Sequence, residues 1–225
     1  MSAHLVLIDA LNLIRRIYAV QERPFVQSKT QIEHELAEKT QKQVLFNTQN
    51  ACTKALENIL ALQQPSHALA VFDSQHTCWC YKLSPDYKKG RKKMPAHLAN
   101  ELSNIQDAFM QHYVDSLVSE DDEADDLIAT YTDQIIKKGA KVTIISGDKD
   151  LMQLVKPGVR LYDPMKSRVL GNKEVKEKFG VEPSKVVDVQ ALAGDSSDNV
   201  PGVPGIGIKT AAELINKYKS LETLL

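Results

Sequence analysis

Apolar positions along the chain fall into two kinds of run. Short β-branched stretches bounded by polar residues occupy residues 4–10 (HLVLIDA), 67–73 (HALAVFD) and 141–148 (KVTIISGD). Each is too short for a core helix and predicts a buried strand. Longer stretches over 31–62, 96–113 and 122–138 predict helices between them. Strands alternating with helices imply βαβ units, so the expected class is α/β, with a mainly parallel central sheet flanked by helices.

The character changes near residue 180. GDSSDNVPGVPGIGIKTAAELI is dense in Gly, Pro, Ser and Asp and then becomes an amphipathic helix, which predicts a loop and hairpin joining short helices. The expected division is an α/β core over 1–180 and a small helical module over 181–225. The ending LETLL is read as a C-terminal truncation of that module. A chain of 225 residues is long enough for one substantial domain with such an appendage.

All three strand-like runs reach an aspartate: Asp9, Asp73 and Asp148. Ligands of open α/β sheets collect at the carboxyl ends of strands. One such aspartate is often only the N-cap of the next helix, but three of three favour a site. Further carboxylates gather at Glu123, Asp125 and Asp126, at Asp150, and at Asp195 and Asp198. So many crowded carboxylates cannot all stay ionised without cations. A donor set of hard oxygens, with no obligatory His or Cys, suits Mg²⁺ or Mn²⁺, expected as two ions. Such a pair activates a phosphodiester toward hydrolysis. On an ideal helix Glu123 and Asp126 share a face while Asp125 lies about 200° from Glu123. All three serve one site only if Glu123 stands at a fraying first turn.

Net charge is -1, which does not bear on nucleic acid, but its distribution does. Lys82, Lys88, Lys89, Arg91, Lys92 and Lys93 form a basic stretch, and residues 120–126 are acidic apart from one alanine. Either run alone is commonly a solvated face. Three cysteines, Cys52, Cys78 and Cys80, do not make a disulfide framework and fit a reducing, cytoplasmic compartment. His76, Cys78 and Cys80 raise zinc. Against it stand the C-x-C spacing, the lack of a fourth ligand nearby, and Trp79 between the thiols. The N-terminus lacks a basic n-region, and the uncharged runs fall short of the roughly 20 residues of a membrane helix, so neither a signal peptide nor a membrane span is expected.

In order along the chain, Asp9 in IDALN, Asp73 in AVFD, EADD (123–126), SGDKD (146–150) and GDSSDNVPGVPGIGIKTA (194–211) resemble the motifs of the flap endonuclease, or 5′-nuclease, family, which includes the 5′-nuclease domain of DNA polymerase I. The resemblance spans residues 4 to about 220. It implies a structure-directed, metal-dependent 5′ nuclease acting on DNA with 5′ flaps or 5′ ends. The implied architecture is a PIN-like core with a helical arch or gateway over about 82–115 and a C-terminal helix-hairpin-helix, or helix-three-turn-helix, module. By the same resemblance Asp9, Asp73, Glu123 and Asp125 surround one metal, and Asp148, Asp150, Asp195 and Asp198 the other. Asp126 also matches the bacterial pattern.

DYKKGRKKMP (86–95) resembles the Tyr-Lys-x-x-Arg segment at the base of the gateway, which implies Lys88 as the catalytic cation with Arg91 beside it. Both can offset phosphate charge, and Tyr87 offers a stacking face to an unpaired base. Asn12, Arg15 and Arg16 follow Asp9, with Arg15 the candidate for a phosphate contact. GVPGIGIKTA resembles the hairpin itself, implying Gly205, Gly207 and Lys209 as phosphate contacts and K⁺ as a further ion at the turn. Glycines there let main-chain N–H groups approach a backbone whose sequence is not read.

A DNA-junction binding protein with little catalysis is the second reading, weakened by the presence of both Asp195 and Asp198. A PIN-type ribonuclease would not require the hairpin module. A haloacid-dehalogenase-type phosphatase needs an aspartate two residues after Asp9, where Leu11 stands. The glycines of GVPGIG lack the leading strand of a dinucleotide site. A monomer is expected.

Overall fold

A computed structural model describes residues 3–26, 37–74 and 78–225. The chain begins with strand β1 (His4–Asp9) and helices α1 (Ala10–Glu22) and α2 (Glu38–Gln63), followed by β2 (His67–Phe72), α3 (Trp79–Leu83), α4 (Ala96–Gln111) and β3 (Asp115–Val118). Helix α5 (Ala124–Lys137) leads to β4 (Lys141–Ile145), and a 3-10 turn over Asp150–Leu154 precedes β5 (Val159–Asp163) and β6 (Arg168–Leu170). Helices α6 (Asn172–Phe179), α7 (Val186–Ala193), α8 (Ile208–Tyr218) and α9 (Leu221–Leu224) complete it.

The six strands form one sheet in the order β3-β2-β1-β4-β5-β6, parallel except for β6. Its expected α/β class and mainly parallel sheet are therefore found. Side chains alternate across a strand, so Val6 and Ile8 of β1 enter one core with Leu13, Ile14, Leu56 and Phe109. Leu7 enters the opposite core with Ile128, Ile144, Phe179 and Ile215. Strand β1 is central, with β2 on one side and β4 on the other. The direction of winding therefore reverses at β1, which opens a crevice at the carboxyl ends of β1 and β4.

The three predicted strands are β1, β2 and β4. Strands β3, β5 and β6 were not foreseen, because β3 and β6 are short edge strands with largely exposed side chains and β5 is mixed. Of the predicted helix 31–62, residues 31–36 lie outside the described residues, and the rest is α2, one residue longer at its C-terminus. Helix α4 stops at Gln111, and the positive φ of Tyr113 turns the chain into β3. Helix α5 starts at Ala124, with Glu123 as its N-cap.

The apolar core runs across residue 180. Val175 and Phe179 of α6 share one cluster with Val186 and Val189 of α7 and with Ala211, Ala212 and Ile215 of α8. Between α7 and α8 the chain doubles back on itself, with Asp195 and Val200 exchanging backbone hydrogen bonds and the Val203 N–H donating to Leu192. Two glycines permit this. Gly194 has φ +71°, and a Cβ on Gly202 would lie 2.3 Å from the carbonyl carbon of Ala193. The tight loop fixes Asp195 and Asp198 at the edge of the crevice. Among the described residues no helix is long and apolar enough to cross a membrane.

Candidate active site

The carboxyl ends of β1, β2 and β4 meet the start of α5 at a cavity of about 330 Å³. Its walls carry seven carboxylates, from Asp9, Asp73, Glu123, Asp125, Asp148, Asp150 and Asp198, together with Arg15, Arg16, Lys88, Arg91 and Lys92. Five separate segments supply these acids.

Each acid is held by its own element. Asp9 caps α1, accepting from the Asn12 N–H at 3.3 Å, and also accepts from the Ser146 hydroxyl at 2.7 Å. Asp73, one residue past β2, accepts from the Ala124 N–H at 2.9 Å and so ties that strand to the first turn of α5. Asp9 is thus an N-cap that also lines the cavity, whereas Asp73 caps no helix of its own and bonds the first amide of α5. After β4, the Ser146 hydroxyl accepts from the Asp148 N–H at 2.9 Å, Gly147 donates to Asn12, and Asp148 accepts from the Asp150 N–H at 3.0 Å. Gln190 of α7 donates to Asp150 at 2.5 Å.

Burial dominates the electrostatics. Desolvation, with Asp73 and Asp148 nearby and despite the Ser146 and Asn12 hydrogen bonds, pushes the Asp9 carboxyl up to about 7. Desolvation, with Asp9, Asp148 and Asp73, pushes Asp125 up to about 8. Asp150 is raised by burial and by Asp148. Glu123 is different. Burial pulls it upward, but the Lys88 ammonium 2.5 Å away, together with Tyr87 and Cys78, holds it below the usual glutamate value. An all-oxygen donor set in which Asp9, Asp125 and Asp150 are raised by burial and by their acidic neighbours gains from added positive charge and fits hard divalent cations.

The basic segment forms the facing wall. Lys88 has φ +54°, its N–H donates to the Asp198 carbonyl at 2.8 Å, and its ammonium bonds Glu123. Arg91 pairs with the Asp198 carboxylate and donates to the Ser197 carbonyl. The single Tyr87 hydroxyl proton is shared between Glu123 at 2.9 Å and Asp198 at 3.2 Å, and its ring stands edge-on to Tyr81. The Arg15 guanidinium donates to the Lys92 carbonyl, bracing this segment from α1. An adjoining cavity of about 610 Å³ continues outward past Tyr81, Tyr87, Lys89 and Lys93.

Two of the nine expected metal-site carboxylates do not line the cavity. Asp126 accepts from the Glu123 N–H at 3.3 Å, closing the first turn of α5, because Glu123 stands at the N-cap position and the next helical turn directs Asp126 back over it. Asp195 pairs with Lys149 at 2.5 Å and with Ser197 at 2.5 Å, and these partners outweigh burial to hold its carboxyl low. Gly205, Gly207 and Lys209 lie in the exposed turn and first turn of α8, away from the cavity lining. Gly205 has φ +81°, and no atom lies within 4 Å of where a Cβ would sit on Gly205 or Gly207. The main chain there is open to close approach.

Sequence reasoning did not find Ser146, Lys149, Gln190 or the pairing of Arg16 with buried Asp163 at 3.0 Å. The Ser146 contact joins residues 137 apart and the Gln190 contact residues 40 apart. Only Ser146 and Lys149 carried a signal, their place inside the SGDKD block.

Residues 4–180 match the family described as 5′-3′ exonuclease, N-terminal resolvase-like domain, and residues 181–225 match 5′-3′ exonuclease, C-terminal SAM fold. The chain is 56% identical over 225 residues to a Colwellia psychrerythraea protein named flap endonuclease Xni, covering 100% of this chain and 78% of that one. A protein of the same name from Photobacterium profundum is 43% identical over 228 residues, with coverage of 100% and 81%. The solved structure of the T5 D15 protein co-crystallised with metal ions has a TM-score of 0.73 at 19% identity, covering 98% of this chain and 77% of that one. A complex of the bacteriophage T5 D15 flap endonuclease with DNA and metal ions has a TM-score of 0.71 at 19% identity, with coverage of 98% and 77%. These two likenesses concern the fold.

Proposed function

This chain belongs to the 5′-3′ exonuclease family of metal-dependent nucleases, and from that premise we propose that the acidic cavity at the ends of β1, β2 and β4 is its catalytic centre. The chain is a structure-specific 5′ nuclease; its substrates are DNA with 5′ flaps or 5′ ends. One observation carries the assignment of the centre: seven carboxylates from five segments share one cavity with Lys88 and Arg91 on its wall.

Asp9, Asp73, Glu123 and Asp125 would hold one Mg²⁺ or Mn²⁺, and Asp148, Asp150 and Asp198 would hold the second, with Asp195 behind them. When bound, the two ions supply positive charge to the attacking and leaving oxygens of the phosphodiester. The chain's own groups place the substrate. Lys88 and Arg91 meet the scissile phosphate and oppose its developing charge in a partly desolvated setting. Tyr87 stacks on the unpaired base beside it. Arg15 braces the basic segment through Lys92 and adds charge at the mouth.

The module over 181–225 holds the duplex. Its open turn brings the N–H groups of Gly205 and Gly207 and the Lys209 ammonium to phosphates, without reading sequence. Backbone oxygens of the same turn would hold K⁺. The chain acts as a monomer in the reducing cytoplasm, a compartment that its sparse, odd set of three cysteines fits.

The test is a 5′-flap duplex labelled at the flap end, incubated with Mg²⁺, Mn²⁺ or EDTA, beside an Asp148→Ala variant. Metal-dependent cleavage near the junction, lost in EDTA and in the variant, is the expected result. Tight binding without cleavage in either metal would overturn the catalytic assignment in favour of a junction-binding protein.

A further inference from the structure

Cys78 is the N-cap of α3 and Cys80 is the second residue of that helix. Their sulfurs and a Glu123 carboxylate oxygen all lie within 4.8 Å of one another. The Cys78 thiol donates to Glu123 Oε1 at 3.5 Å, across a sequence separation of 45. In a tetrahedral zinc site, with metal–sulfur bonds near 2.3 Å, two sulfurs sit about 3.8 Å apart, so these donors need to close by about 1 Å at most. The objections raised by the bare sequence lose their force in the fold. Glu123 supplies a third donor that the C-x-C spacing hides, and sulfurs within 4.8 Å of each other leave no room for the Trp79 indole between them. Cys78 lines the outer cavity, which gives a cation a route in and leaves the remaining position to solvent.

We propose that Cys78, Cys80 and Glu123 form a site for a thiophilic divalent cation of the zinc class, and that filling it disables the nuclease. Soft sulfur donors distinguish this site from the all-oxygen cavity, so Mg²⁺ and Mn²⁺ do not compete well for it. The inhibitory step follows from one shared atom. Glu123 Oε1 receives both the Cys78 thiol and the Lys88 ammonium. A cation seated there displaces both thiol protons to solvent, takes that oxygen from Lys88 and withdraws Glu123 from the catalytic ions, with the net charge of the thiol site unchanged. This consequence rests on the catalytic reading of Glu123 and Lys88 above; the thiol site itself does not.

The test uses Cd²⁺ and Zn²⁺ with a thiol-free phosphine reductant and excess Mg²⁺. One equivalent of Cd²⁺ is expected to produce sulfur-to-cadmium charge-transfer absorption in the wild-type chain, and that band is lost in Cys78→Ser and Cys80→Ser. Even outer partners of a metal change its affinity about 10-fold or more, so removing a direct ligand by Cys80→Ser should raise the Zn²⁺ needed for half-inhibition by at least that factor. Cleavage by Cys80→Ser in Mg²⁺ alone should match wild type. Cys80 is only partly buried, so this variant keeps the test valid if Cys78→Ser misfolds. A missing band, or equal zinc inhibition of wild type and Cys80→Ser, overturns the proposal. Failure of the wild type to cut in Mg²⁺ alone counts instead against the catalytic reading, which the cadmium band does not depend on.

Discussion

The Lys88 ammonium lies 2.5 Å from the Glu123 carboxylate, both side chains being only about one-sixth exposed. Burial alone would discourage a charged lysine. Glu123 reverses this and holds the Lys88 pKa above its usual value, so a cation is kept among the acids of the cavity. Removing a single preorganised donor to a developing oxyanion typically lowers kcat by about 10²–10³-fold, and Lys88→Met is expected to fall in that range. Single-turnover cleavage with a separate binding assay checks it. Lost binding with unchanged single-turnover rate would make Lys88 a docking residue only.

The buried acids give the metal-free protein an unusual pH dependence. Burial, with the neighbouring acids, pushes Asp9 up to about 7 and Asp125 up to about 8 in the native state, against 3.8 for an ordinary aspartate. Between about pH 4 and 8 the native state therefore binds more protons than the unfolded chain, and stability falls as pH rises through that window. Glu123 and Asp195, held low, contribute the opposite slope only on the acid side, where they protonate. Divalent cations must displace the same protons, so their affinity rises with pH. Thermal melts in EDTA should show Tm falling across the window, with the increment from Mg²⁺ growing. A Tm in EDTA that climbs instead would mean these carboxyls are not buried as described.

Asp126 and Asp148 separate a capping acid from a cavity acid. Asp126 bonds the Glu123 N–H, and its loss by Asp126→Ala should cost about 1 kcal/mol of stability with cleavage near wild type. Asp148 lines the cavity, so Asp148→Ala should abolish cleavage at ordinary Mg²⁺ concentrations. Circular-dichroism melts and flap cleavage measured together decide it. Abolition of cleavage by Asp126→Ala would return this residue to the metal site.

Legibility in the sequence followed burial. Strands β1, β2 and β4 occupy the middle of a parallel sheet, where both faces are covered, and so they stand out as continuous apolar runs ending in aspartates. Strands β3 and β6 are edges and carry no such run. The helical-angle conflict among Glu123, Asp125 and Asp126 was also visible, and it resolves because Glu123 is the N-cap rather than a helical residue. What stayed hidden were contacts between distant segments: Ser146 on Asp9, Gln190 on Asp150, and Cys78 on Glu123. No local pattern encodes these, since each depends on how the crossover at β1 brings separate elements together.

Ser146 illustrates the second kind of contact. Its buried hydroxyl donates to Asp9 and accepts from the Asp148 N–H, so one oxygen sets the spacing of two acids on neighbouring strands. Ser146→Ala leaves the Asp148 amide without that acceptor, at a cost of about 1–3 kcal/mol. Partners behind metal ligands typically change affinity about 10–100-fold, so the Mg²⁺ needed for half-maximal cleavage should rise by a factor in that range. A Mg²⁺ titration of the variant checks this; an unchanged midpoint would show that Asp9 needs no such support.

Lys209 tests the module independently of the chemistry. It sits exposed in the first turn of α8, beside a turn whose Gly205 and Gly207 leave the main chain open. A lysine that meets one phosphate releases about one counterion on binding, so Lys209→Ala should weaken affinity for a flap duplex and lower the slope of log K against log salt by about 1. Because the contact does not touch the reacting phosphate, the single-turnover rate at saturating enzyme should stay near wild type. Binding isotherms over a series of salt concentrations, paired with that rate, distinguish the cases. An unchanged slope would take Lys209 off the DNA path, whereas a reduced saturating rate with normal binding would show that the module also positions the phosphodiester in the cavity.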